Sequence, residues 1–132
     1  MSLKLAESEN FIITNEYEKA FLIFKDSNRK ANIGDFYGDP QTAIISNDER
    51  FCAVGGCGII VYYLHEPYEE YRYNVTTIQW KELYRENKKN WWIQDIKFLD
   101  SSTIIFTVEN TDIDNGGRYR LNINTFELTR CN

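Results

Sequence analysis

Proline and histidine are scarce in this sequence: Pro40, Pro67 and His65 are the only examples in 132 residues. A single histidine leaves little room for a histidine-based catalytic or metal centre. Cysteine is also sparse. Cys52, Cys57 and Cys131 are odd in number and lack framework spacing, which predicts reduced thiols and a cytoplasmic protein rather than a disulfide scaffold. Long apolar runs are missing too. The longest, such as Ile59 to Leu64, are too short to span a bilayer, and the start of the chain lacks the apolar core of a secretory leader. No membrane partner is expected. Excess positive charge is absent: Lys and Arg number 15 against 20 Asp and Glu, a net charge of −5. Such a chain repels phosphate backbones and attracts basic partners, so nucleic acid is not an expected ligand. Neither a linker nor a low-complexity stretch divides the chain, which predicts one domain over 1–132.

Apolar and aromatic residues are abundant, at 42% and 15%. They occur in short runs of Ile, Val, Phe, Tyr and Thr, broken by Asn, Asp, Ser and Gly, the pattern of strands and turns. The runs predict strands near 10–14, 20–25, 42–46, 50–55, 58–64, 73–80, 91–99, 103–109, 118–124 and 126–130. The segment 77–88, TIQWKELYRENK, is ambiguous and leaves room for at most one short helix or turn near 81–88. The segments FIITNEYEKAFLIF, AIISNDERFCAV and IKFLDSSTIIFTV repeat a strand–turn–strand pattern, with Ile13, Ile45 and Leu99 in matching places. They resemble blades of a β-propeller, yet three units are too few to close one. The expected fold is mainly β: a twisted antiparallel meander of blade-like units, forming a sandwich or partly open barrel.

The stretch DERFCAVGGCGIIVYYL (48–64) raises a sharper question, because its glycines could cradle a phosphate. A phosphate loop needs a Lys and a Ser or Thr entering a helix. Here Ile59, Ile60 and Val61 predict a strand instead. A thiol site at Cys57 needs a base, but along one strand His65 lies about 26 Å away. No C-x-x-C spacing supports zinc. The remaining reading is a hairpin turned at Gly55-Gly56, with Cys52, Val54, Cys57, Ile59 and Val61 on one face and Phe51, Ala53, Ile60, Tyr62 and Leu64 on the other. Both faces are apolar, which predicts a central hairpin with its cysteines as small core residues.

Three polar stretches invite functional readings. TDIDNGG (111–117) suggests a calcium loop through Asp112, Asp114 and Gly116, but Ile123 stands where an EF-hand needs its final acidic residue. ENKKNWW (86–92) sets Lys88 and Lys89 beside Trp91 and Trp92, as in single-strand nucleic-acid binders; with net charge −5, core tryptophans fit better. No cofactor or metal is expected. NIGDFYGDP (32–40) and LHEPYEEYRY (64–73) interleave acids with aromatics. They display Asp35, Tyr37 and Asp39 in the first, and Glu66, Tyr68, Glu69, Glu70 and Tyr71 in the second, with Tyr73 beside them. Carboxylates interleaved with tyrosines suit a protein interface, since tyrosine anchors contacts well. These eight residues are the predicted partner-binding set; no catalytic residue is assigned.

Over IGDFYGDPQTAIISNDERFCAVGGCGIIVYYL (33–64) and WWIQDIKFLDSSTIIFTV (91–108), the chain resembles the small β-rich immunity proteins of bacterial polymorphic-toxin and contact-dependent inhibition systems. That resemblance implies a compact, cytosolic, non-enzymatic protein that binds one cognate toxin, often a basic nuclease, and occludes it. A different expectation is a small β-domain holding a ligand in an aromatic pocket.

Overall fold

The computed structural model of the protein describes residues 2–86, 89–109 and 113–131. Three four-stranded antiparallel sheets follow one another along the chain. The first contains β1 (Ser2–Glu7), β2 (Phe11–Glu16), β3 (Lys19–Phe24) and β4 (Lys30–Asp35). The second contains β5 (Thr42–Ile45), β6 (Phe51–Gly56), β7 (Gly58–Tyr63) and β8 (Trp80–Leu83). A two-residue ribbon, β9 (Arg85–Glu86) and β10 (Lys89–Asn90), leads to the third sheet. That sheet contains β11 (Ile93–Asp100), β12 (Thr103–Val108), β13 (Gly117–Asn122) and β14 (Leu128–Arg130). No described residue is helical, so no helix there is long and apolar enough to cross a membrane.

The second sheet is the middle layer. Every residue of β6 is buried, as an apolar strand covered on both faces requires. Cys52, Val54, Ile60 and Tyr62 pack toward Ile13, Leu22 and Ile33 of the first sheet. Phe51, Ala53, Ile59 and Val61 pack toward Ile93, Ile104, Phe106 and Leu121 of the third. The outer sheets bury one face each, and the alternating burial along β2 and β12 records it. The first strands of the sheets lie side by side, β1 against β5 and β5 against β11. The sheets thus fan out like three blades without closing a ring or a barrel.

The central hairpin is buried on both sides, as its composition predicts, but its register differs. Cys52 pairs with Tyr62, Val54 with Ile60 and Gly56 with Gly58, so Cys57 alone forms the tip. The expected two-residue turn shifts β7 by one position, which exchanges its faces. Ile60 and Tyr62, not Ile59 and Val61, share a face with Cys52 and Val54. The left-handed residue is Gly58, at φ +83°. Gly55 is needed for close approach: a Cβ there would stand 2.8 Å from Ile93 Cγ2 and 2.9 Å from Thr42 Cγ2.

Other expectations shift as well. FIITNEYEKAFLIF covers β2 and β3, whereas the other two segments cover first and second strands, β5–β6 and β11–β12. The repeat is therefore one strand out of frame, because β1 is short of apolar residues and escapes the pattern. β4 occupies 30–35, where turn residues predict a loop. Conversely, the strand predicted at 73–80 is a loop up to Gln79, and β8 begins at Trp80. The open segment 81–88 is strand through Leu83; Tyr84 breaks it at φ +58° before β9. Asn87 and Lys88 lie outside the described residues.

Candidate functional site

At the end of the stack where the β2–β3 turn, the loop after β4 and the tip of the central hairpin converge, a cavity of about 490 Å3 opens. Glu18 comes from the β2–β3 turn, Cys57 from the hairpin tip, and Asp35, Phe36 and Tyr37 from the end of β4. Tyr73 and Arg85 complete the wall. Tyr37 and Tyr73 are 84% and 66% exposed, far more than core tyrosines.

Arg85 anchors the floor. Its Nη2 donates to the Asp35 carbonyl (2.6 Å) and its Nη1 to the Cys57 carbonyl (3.2 Å). Its Nε lies 3.0 Å from Glu82 Oε1, and its guanidinium sits 4.7 Å from the Phe36 ring centroid. Such a planar fork suits tying two carbonyls and a carboxylate at once. It joins the end of β4, the hairpin tip and β8. Glu82 is itself shared, accepting from the Tyr71 hydroxyl (2.6 Å) and the Asn74 amide (3.3 Å).

The first acidic loop is fixed from below and open above. Phe36 N donates to the Glu18 carbonyl (2.8 Å), and Gly38 N donates to Glu18 Oε2 (2.6 Å). Gly38 has φ +83°, and a Cβ there would stand 2.8 Å from the Trp92 ring. Asp35, Tyr37 and Asp39 are all exposed, and among the described residues none hydrogen-bonds the Asp35 carboxylate.

The second acidic loop is arranged differently. Tyr71 is buried; its amide donates to the Asn32 carbonyl (2.8 Å), and Asn32 N donates to Glu70 Oε2 (2.7 Å). One backbone bond and one carboxylate bond thus cover the edge of β4 at Asn32. Glu69 accepts from the Thr77 hydroxyl (2.9 Å), and its carbonyl accepts from Tyr62 Oη (2.6 Å). Buried Gln79 closes the loop: its Oε1 accepts from Glu69 N, and its Nε2 donates to the carbonyls of Tyr63 and His65. Tyr68 lies edge-on to Phe24 (4.7 Å between centroids), and Arg29 covers it. Glu66 pairs with Arg29 at 3.4 Å. Burial pushes the Tyr68 phenol up, with the Glu66 charge adding to it. Burial also pushes Tyr71 up, together with its hydrogen bond to Glu82.

The eight predicted contact residues therefore do not form one patch. Asp35, Tyr37 and Asp39 belong to the cavity end. Glu66 and Tyr68 lie by Phe24 and Arg29 at the opposite end of the β3–β4 pair, where Ile23 faces Lys30; Lys19 faces Asp35 at the cavity end. Glu69, Glu70 and Tyr71 are joined to the protein's own backbone and side chains between them. Glu18, Tyr73 and Arg85 are the cavity residues that sequence reasoning did not single out. Tyr73 had a signal, since it stands in the same acidic-aromatic stretch. Arg85 had none, because it reads as part of a charged run.

Cys52 is fully buried, and its thiol is pushed up to about 12 by desolvation. Cys57 is only half-buried and lines the cavity, so it is not the core residue expected; burial raises its thiol too, with Arg85 opposing. His65 follows the far end of β7, away from the tip. Trp91 is core, stacked between Tyr84 (4.5 Å) and Tyr119 (4.9 Å). Lys88 lies outside the described residues. So does Asp112 of the acidic turn, where Arg130 donates to the carbonyls of Asp114 (3.0 Å) and Gly116 (2.6 Å). Among the described residues, no group of three His, Cys, Asp or Glu is placed to hold a metal. Compared with known proteins, the chain matches no family model and no curated sequence.

Proposed function

We propose that this protein is a non-enzymatic binding domain, an immunity-type inhibitor that occludes a basic protein such as a toxin nuclease. The observation that carries the reading is the cavity end, where highly exposed Tyr37 and Tyr73 stand beside Glu18 and Asp35. Exposed tyrosines give contact area at low entropic cost, and carboxylates steer a cationic partner and mimic the phosphates it would otherwise bind. The contact set contracts accordingly to Glu18, Asp35, Tyr37, Asp39 and Tyr73. Glu69, Glu70 and Tyr71 support that surface rather than touch the partner.

Capture from an extract of the source organism tests this reading. The wild-type chain is expected to retain a basic protein in stoichiometric amount, released as salt rises. The double variant Glu18→Lys, Asp35→Lys is expected to lose it. Equal capture by both chains would exclude this surface. A second reading, a small-ligand domain, is favoured by the size of the cavity, which falls in the range of ligand pockets. It predicts that a small molecule, not a protein, changes the fluorescence of Trp92, which abuts Gly38.

A further inference from the structure

The floor of the cavity holds an arginine, and an arginine in a pocket usually signals an anionic ligand. Here its nitrogens face inward. Nε meets Glu82, Nη1 the Cys57 carbonyl and Nη2 the Asp35 carbonyl, while its flat face rests on Phe36. Its charge is met by Glu82, while Glu18 and Asp35 at the mouth form no ion pair among the described residues, with Lys19 facing Asp35 across the β3–β4 pair. Tyr37 and Tyr73, which line the same cavity, are exposed. Aromatic faces and carboxylates around one opening are the elements that bind an organic cation, by ring quadrupole and by ion pairing.

We infer that this cavity receives a single alkylguanidinium group, held between Tyr37 and Tyr73 with Glu18 and Asp35 as its counter-charges. The inference rests on the binding-domain reading and narrows it: the partner presents an arginine side chain at the centre of its contact surface. The same chemistry could come from a free guanidinium metabolite, and the test separates the two sources.

The test is titration of the isotopically labelled protein, followed by amide NMR, with three probes at low salt. These are the capped peptide acetyl-Gly-Arg-Gly-amide, its citrulline analogue, and agmatine. The arginine peptide is expected to shift the amides of Tyr37, Gly38 and Tyr73 in a saturable way. The citrulline peptide, equal in shape and uncharged, is expected to bind at least 10-fold more weakly. Asp35→Asn and Glu18→Gln are each expected to weaken the arginine peptide about 5-fold, the size of one partly exposed ion pair. Both keep the fold, because Asp35 offers its carbonyl to Arg85 and Gln retains the acceptor for Gly38 N. Peptide binding at least as tight as agmatine assigns the site to a partner side chain. Agmatine binding 10-fold tighter assigns it to a free metabolite. Equal binding of arginine and citrulline peptides, or no shift with either cation at 50-fold excess over protein, overturns the inference. If a captured partner is still released by charge reversal in that case, the binding-domain reading survives and this inference alone falls.

Discussion

The two acidic-aromatic stretches of this protein share a composition and have opposite fates. Around 35–39, Tyr37 stands in solvent, and the Asp35 carboxylate accepts no hydrogen bond from the described residues. Around 66–71, Tyr71 is buried and Glu70 holds a β4 amide, before exposed Tyr73 returns to the cavity wall. The difference lies in what each stretch runs over. The first leaves β4 at its end and turns over a cavity. The second crosses from β7 to the edge of β4, whose backbone groups would otherwise be exposed. An edge that needs donors and acceptors recruits the carboxylates and hydroxyls that pass over it. Composition alone therefore does not separate an interface from a seam.

The comparison can be broken by substitution. Tyr71→Ala has the largest expected effect, about 3–4 kcal/mol of stability, because it empties a site beside Trp80 and strips Glu82 of a donor. Gln79→Ala follows at about 2–3 kcal/mol, since it leaves the Glu69 amide and two carbonyls unpaired. Glu70→Ala is expected to cost about 1 kcal/mol, as one exposed carboxylate bond to Asn32 N is lost. Tyr37→Ala is expected to stay within about 0.5 kcal/mol of wild type. Urea denaturation checks all four. A cost at Tyr37 equal to that at Tyr71 would erase the distinction.

Glu49 sharpens the same point at the far end. Burial raises its carboxyl, but the hydrogen bonds from Ser8 and Asn10 outweigh burial and hold it below the ordinary value. A carboxyl depressed in the folded state contributes stability above its unfolded value, about 4.3, and that contribution fades as pH falls through the folded value. Glu49→Gln is expected to reduce the loss of stability below about pH 4.3. Acid titration of unfolding checks it.

How much of this was legible in the sequence follows from the same physics. The sheets were legible where apolar runs are dense, and so was the double burial of the central hairpin. Its register was not, because a one-residue tip and a two-residue turn use the same glycines, and only packing against Ile93 and Thr42 separates them. β1 and β4 were missed because lysine, serine, asparagine and glycine dilute their alternation. At the candidate site, Asp35 and Tyr37 were legible as turn residues with aromatic neighbours. Glu18 and Arg85 were not, since only tertiary contact across 50 residues brings Arg85 to Asp35.

Native-state hydrogen exchange followed residue by residue tests the central distinction most directly. The amides of Tyr71 and Asn32 are bonded to each other's segments, so they are expected to exchange as slowly as the β3–β4 ladder, while the Tyr37 amide exchanges at the rate of an open loop. Fast exchange at Tyr71, matching Tyr37, would contradict the account: the two stretches would then be alike, and 66–71 would return as a free surface for a partner.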